Sequence, residues 1–156
     1  LKTGKKINIV AVSARNISKK RRFKVNKKIF FKNPLEIFNK IGSTLWLSSE
    51  NEIDIATGVA GSGPAFLALV AESLADGAVN AGLKRDDSQK LVAGLFDGFA
   101  SLIANDTPAN IKDGVMSPGG TTAAGYAALE KANVRHGMIE AIKDAYEKAK
   151  ELKQKN

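Results

Sequence analysis

The 156-residue sequence contains no cysteine. That excludes disulfides and thiolate metal sites, and it is compatible with a reducing compartment. There is one histidine, His136. A serine–histidine–aspartate system would have to use it, yet it lies beside Arg135 in a predicted helix and reads as a surface position. One histidine and scattered carboxylates give no metal site. No run of 18 apolar residues occurs, so no membrane span is expected. A secretory signal would need a longer apolar stretch than Ile7 to Val12 and a small-residue cleavage site. A soluble cytoplasmic protein is the expectation. Proline is scarce, with four residues. Pro34, Pro64 and Pro108 stand where helices would start, and Pro118 stands in a turn.

Acid is nearly absent from the first quarter of the chain. Residues 1–36 hold 12 of the 24 lysines and arginines and one acid, Glu36, for a charge of +11. Residues 37–156 sum to −3, so the net charge of +8 belongs to one segment. This seam divides the chain into a basic N-terminal arm or fragment, 1–36, and a helical domain, 37–156. In the arm, Asn8 to Val12 is β-branched and fits a buried strand. Lys24 to Phe31 fits a second, amphipathic strand. A solvated basic arm, a piece of a dinucleotide-binding unit and a phosphate-binding patch for nucleic acid all fit this composition.

From Ser49 onward the pattern is helical. Ser49 and Glu52 have the spacing of a capping box. Gly61 and Gly63 are expected to break the chain before a long helix from about Pro64 to Ala81, closed by Gly82. Asp86 or Asp87 is expected to cap a helix to about Ala104, with apolar residues on more than one face. Thr107 caps a short helix from Pro108 to about Val115. Helices from Thr121 to Lys131 and from Val134 to Leu152 complete the domain. The alanine and glycine content favours close helix–helix approach.

The stretch Gly114-Val115-Met116-Ser117-Pro118-Gly119-Gly120-Thr121-Thr122 joins two of these helices. Gly119 and Gly120 let the backbone take positive φ or approach a ligand, and Pro118 fixes φ before them. Thr121 and Thr122 sit where a helix begins, with hydroxyls placed to cap it or to bind. Unpaired amides at such a terminus favour an anion. The local pattern fits an ordinary connector equally well.

Two motifs together resemble the C-terminal domain of pyrroline-5-carboxylate reductases. They are Gly61-Ser62-Gly63-Pro64-Ala65-Phe66 and, some 50 residues later, Val115 to Gly125. Leu45-Trp46-Leu47, Ala71 to Gly77 and Leu129-Glu130 add to the resemblance, which covers residues 37–156. Residues 6–36 weakly resemble a Rossmann fragment of homoserine dehydrogenases, in which Arg15 would follow a second strand.

The resemblance implies a mainly α fold, an interlocking helical dimerisation domain preceded by a short basic α/β-like fragment. It implies a homodimer or higher oligomer, NADPH or NADH as cofactor, and reduction of 1-pyrroline-5-carboxylate to L-proline. By the same resemblance Ser117, Gly119, Gly120, Thr121 and Thr122 bind the substrate carboxylate. Thr122 serves as the catalytic hydroxyl near the ring nitrogen, and Gly61, Ser62 and Gly63 line the cofactor side. The nucleotide-binding domain is expected to be incomplete, so these 156 residues alone are expected to be inactive. Met116 and Tyr126 depart from the family pattern. The alternative is a non-catalytic helical interaction module whose basic arm binds nucleic acid or an acidic partner. Under the leading reading, neither nucleic acid nor a membrane is a partner.

Overall fold

The computed structural model describes residues 12–13, 30–31, 33–40 and 42–154. Most of the basic arm, including Arg15, the first strand before Val12 and the second before Phe30, lies outside the described residues. Two compact units divide the chain, residues 1–48 and 49–156.

In the first unit, β1 (Val12–Ser13) pairs in parallel with β2 (Phe30–Phe31), with Val12 opposite Phe30. Helix α1 (Pro34–Phe38) lies against both strands. Asn33 caps it by accepting from the Leu35 amide at 3.0 Å, and Pro34 fills the first turn, where no amide donor is needed. Residues 43–47 form no regular element, and Leu45 and Trp46 are exposed.

The second unit is all helix: α2 (Glu50–Ala56), a π segment (Thr57–Gly61), α3 (Gly63–Asn80), α4 (Arg85–Asn105), α5 (Pro108–Val115), α6 (Thr121–Lys131) and α7 (Val134–Gln154). Ser49 caps α2 by accepting from the Glu52 amide at 3.2 Å. The glycines at 61 and 63 do not break the chain as expected. Helical winding continues from Glu50 to Asn80 through a wide turn, in which the Ser62 amide bonds to the Thr57 carbonyl five residues back. The reason lies across the helix at Gly58. It is buried, and a Cβ there would stand 3.3 Å from the Ile142 carbonyl oxygen of α7. The wide turn sits where two backbones nearly touch.

Helix α3 ends as expected. Gly82 takes φ 109°, its amide bonds to Val79 and the Leu83 amide bonds to Ala78, which satisfies two of the last carbonyls. At the start of α4 the expectation fails. Lys84 is the N-cap, and Asp86 and Asp87 fall inside the first turn, where they favour the positive end of the helix without capping it. Thr107 caps α5 by accepting from the Asn110 amide at 3.3 Å. Asn133, at φ 57°, closes α6 and opens α7 in a single residue.

Packing is pairwise. Helix α3 lies on α4, with Ala75 and Ser88 buried, and the Ser88 hydroxyl bonds back to the Lys84 carbonyl. The α2–π segment lies on α7 and is pinned there by Tyr146 Oη to Asn51 Oδ1 at 2.6 Å and by Lys153 to Glu50. Among the described residues no large apolar side chain is buried. Leu67, Leu69, Leu91 and Leu95 are each more than half exposed. The described helices of one chain therefore enclose no core of large apolar side chains. By length and composition, the helix over residues 50–80 could also cross a membrane, although the sequence lacks an unbroken apolar run.

Candidate functional site

Helix α5 stops at Val115, and Met116 leaves it with extended dihedrals. Ser117-Pro118-Gly119-Gly120 then forms a tight turn, with the Gly120 amide bonded to the Ser117 carbonyl at 3.0 Å. Proline second and a positive-φ glycine third, Gly119 at 71°, are the residues such a turn demands. The two glycines have different jobs. Gly120 has ordinary backbone dihedrals (φ −77°), but a Cβ on it would lie 2.5 Å from Ser117 Oγ and 3.1 Å from the Ser117 carbonyl oxygen. Its bare Cα makes room for the serine hydroxyl at the mouth of α6.

The N-cap of α6 is Gly120, which has no side chain to cap with, so Thr121 and Thr122 occupy the first turn and do not cap it. The first intrahelical bond of α6 runs from the Ala124 amide to the Gly120 carbonyl at 3.2 Å. The amides of Thr121, Thr122 and Ala123 thus have no acceptor within the helix. Among the described residues, the hydroxyls of Ser117, Thr121 and Thr122 make no hydrogen bond either. Ser117, Thr121 and Thr122 are exposed. Several unengaged donors at the positive end of a helix suit a carboxylate.

Gly61, Ser62 and Gly63 lie elsewhere, at the exit of the π segment. No atom comes within 4 Å of a Cβ placed on Gly63, and Gly61 is exposed. α7 is the helix that both the π segment and α6 pack on. His136 is exposed, as expected, and the described residues contain no cluster that could hold a metal ion.

Around Tyr126 is a polar cluster that sequence reading missed. Arg135 of α7 donates Nη2 to Tyr126 Oη at 2.7 Å and Nε to the Glu130 carboxylate at 3.1 and 3.3 Å. Lys112 of α5 stands 5.9 Å from the Tyr126 ring centre and pairs with Asp113 at 2.6 Å. The bond from Arg135 holds the Glu130 carboxyl below the usual carboxylate range, and the bond to Asp113 raises the Lys112 ammonium. Glu130 and Arg135 are five apart across the Asn133 corner, so no regular helical spacing announces them.

The profile of the pyrroline-5-carboxylate reductase dimerisation family matches residues 50–152. The chain belongs to that family. Pyrroline-5-carboxylate reductase of Synechocystis is 50% identical over 121 residues, 76% of this chain and 45% of that protein. The pea enzyme of the same name is 40% identical over 119 residues, 75% of this chain and 43% of its own. The crystal structure of Plasmodium falciparum pyrroline carboxylate reductase with NADP bound superposes with TM-score 0.66 at 37% identity, over 74% of this chain and 44% of that one. The Coxiella burnetii reductase gives TM-score 0.71 at 34% identity, over 75% and 44%. The chain thus spans less than half the length of the relatives it matches. The family match covers the helical unit almost end to end, as the two motifs imply.

Proposed function

We propose that residues 37–156 are the dimerisation and substrate-binding part of a cytoplasmic pyrroline-5-carboxylate reductase. The observation that carries this is the start of α6. Three amides without helical acceptors and three unengaged hydroxyls flank a turn whose glycines are each fixed by geometry. The Ser117 hydroxyl and the amides of Thr121 to Ala123, opening from Gly120, receive the carboxylate of 1-pyrroline-5-carboxylate. The Thr122 hydroxyl meets the ring nitrogen, orients the imine and stabilises the change at nitrogen. NADPH or NADH supplies the hydride that reaches the imine carbon, yielding L-proline. The chain offers Gly61, Ser62 and Gly63 as lining for that face. The described residues form no dinucleotide-binding domain, so hydride transfer needs a nucleotide site beyond them.

The exposed leucines of α3 and α4 call for a covering surface. A second copy of the chain, interlocked with the first, is the partner proposed. It also provides an apolar environment for the 50–80 helix in place of a membrane. The nucleic-acid reading rests on residues outside the described ones, and no structural observation favours it.

The test is NAD(P)H oxidation with 1-pyrroline-5-carboxylate. The 156-residue protein alone is expected to show no turnover, and robust turnover would defeat the proposal. Joined to the nucleotide-binding half of the Synechocystis relative, it is expected to turn over. Thr122→Ala should then lower the rate by about 10²-fold, the typical loss of one donor at developing charge. An unchanged rate removes Thr122 from the mechanism.

A further inference from the structure

The 116–120 turn hangs between two helices that do not pack extensively on one another. Helix α6 packs on α7, and α5 packs on α4. An open groove of about 470 Å³ lies between the Thr107–Ala109 start of α5 and Tyr126 and Arg135. No packed core supports this corner. One side chain that joins the groove's walls is Tyr126. Tyr126 lies one helical turn beyond Thr122, on the same face of α6. Its ring meets the Lys112 ammonium of α5, at a distance where a cation and an aromatic face attract. Its hydroxyl accepts from Arg135 of α7, which Glu130 holds through a second set of bonds. Lys112 sits one turn before the end of α5, so its contact with Tyr126 spans the turn, and the bond from Arg135 anchors Tyr126 on α7.

We propose that Tyr126 is a positioning residue: it latches α5 to α6 and α7 and thereby fixes the geometry of the Ser117–Thr122 turn. Its functional meaning rests on the reading of that turn as the carboxylate site, but the latch itself is a statement about the turn alone. A leucine at this position would fill space on α6 and could make neither contact. A phenylalanine would keep the contact with Lys112 and lose the one with Arg135.

The experiment is amide exchange with water, followed by NMR on the whole 156-residue protein in its native assembly. The Gly120 amide, bonded to the Ser117 carbonyl, reports the turn. Tyr126→Leu is expected to speed its exchange about fivefold or more and Lys112→Met about two- to fivefold, with Tyr126→Phe between wild type and Tyr126→Leu, while amides of α4 and of the second half of α7 do not change measurably. Unchanged Gly120 exchange in a folded Tyr126→Leu or Lys112→Met overturns the latch. So does a uniform rise across all helices, which would mark a general loss of stability. If Tyr126→Leu does not fold, Lys112→Met decides, because Lys112 is only part-buried and its removal leaves Tyr126 bonded to Arg135. No substrate enters this measurement, so its failure is separable from failure of the reductase assay.

Discussion

Alanine at Gly58 would set two opposed effects against each other. Inside a helix the change from glycine gains about 0.8–1 kcal/mol through lost backbone freedom in the unfolded chain. At this position the new methyl would stand 3.3 Å from the Ile142 carbonyl oxygen and 3.6 Å from both Ala145 Cβ and the Tyr146 amide nitrogen. The nearest atom is helical backbone, which yields only if α7 moves. Overpacking of that kind costs about 1–3 kcal/mol. Gly58→Ala should therefore be neutral to about 2 kcal/mol destabilising. Valine adds bulk to the same contact and loses most of the propensity gain, so Gly58→Val should cost about 2–3 kcal/mol. At about 2–4 °C per kcal/mol for a chain of this size, the valine variant should melt roughly 5–10 °C lower. The assay is thermal unfolding by far-ultraviolet circular dichroism at one fixed protein concentration, because assembly contributes to apparent stability. A urea titration checks that the slope is unchanged. Wild-type melting of Gly58→Val, or a full 1 kcal/mol gain in Gly58→Ala, would refute the close crossing of the π segment and α7.

Gly119→Ala forces a side chain onto positive φ and should cost about 1–2 kcal/mol, which urea unfolding checks; a stability gain would show that the turn is misread. The Lys153–Glu50 pair predicts a pH window. The hydrogen bond from Lys153 holds the Glu50 carboxyl below its ordinary 4.5, so that contribution is complete above 4.5 and fades as pH falls through the lowered value. Glu50 raises the Lys153 ammonium above 10.5, so the contribution is complete below 10.5 and fades as pH rises through the raised value. Lys153→Met should flatten both limbs of a stability–pH curve, and an unaltered curve would show the pair to be idle. Light scattering should find a dimer or larger assembly at micromolar concentration; a monomer would contradict the second copy proposed to cover the exposed leucines of α3 and α4.

Local chemistry was the legible part. Ser49, Thr107, Pro34, Pro108 and Gly82 each marked a helix end, because caps and fixed dihedrals act within a few residues. The turn at Ser117–Gly120 was also readable, since proline and glycine have few uses in that order. What failed depended on distant neighbours. Gly61 and Gly63 read as a break, but the outcome was set by α7, some 80 residues on, lying against Gly58. Asp86 and Asp87 read as caps because aspartate is a good cap, yet the helix began earlier, and Arg85 at its first position pairs with Asp76 of α3. Gly120 read as backbone freedom, but its use is room for Ser117. The bond from Tyr146 to Asn51 spans 95 residues and leaves no local trace. In the candidate site the hydroxyls were legible and the latch behind them was not, because Glu130 and Arg135 come together only once Asn133 has turned the chain.

The wide turn at Thr57–Gly61 has a consequence for insertions and deletions. An α-helix advances about 100° per residue, so a coil holding one surplus residue sets everything beyond it on a different heading. Before the surplus, the rod faces α7 of its own chain; after it, α3 presents its alanines and leucines to α4 and to the space beyond. Removing one residue from 59–60 would leave the composition and hydropathy of the rod almost untouched. It would nonetheless swing the α3 stripe by roughly a quarter turn and carry Gly61, Ser62 and Gly63 around with it. The length of this segment, counted in single residues, therefore decides which way the second half of the domain looks.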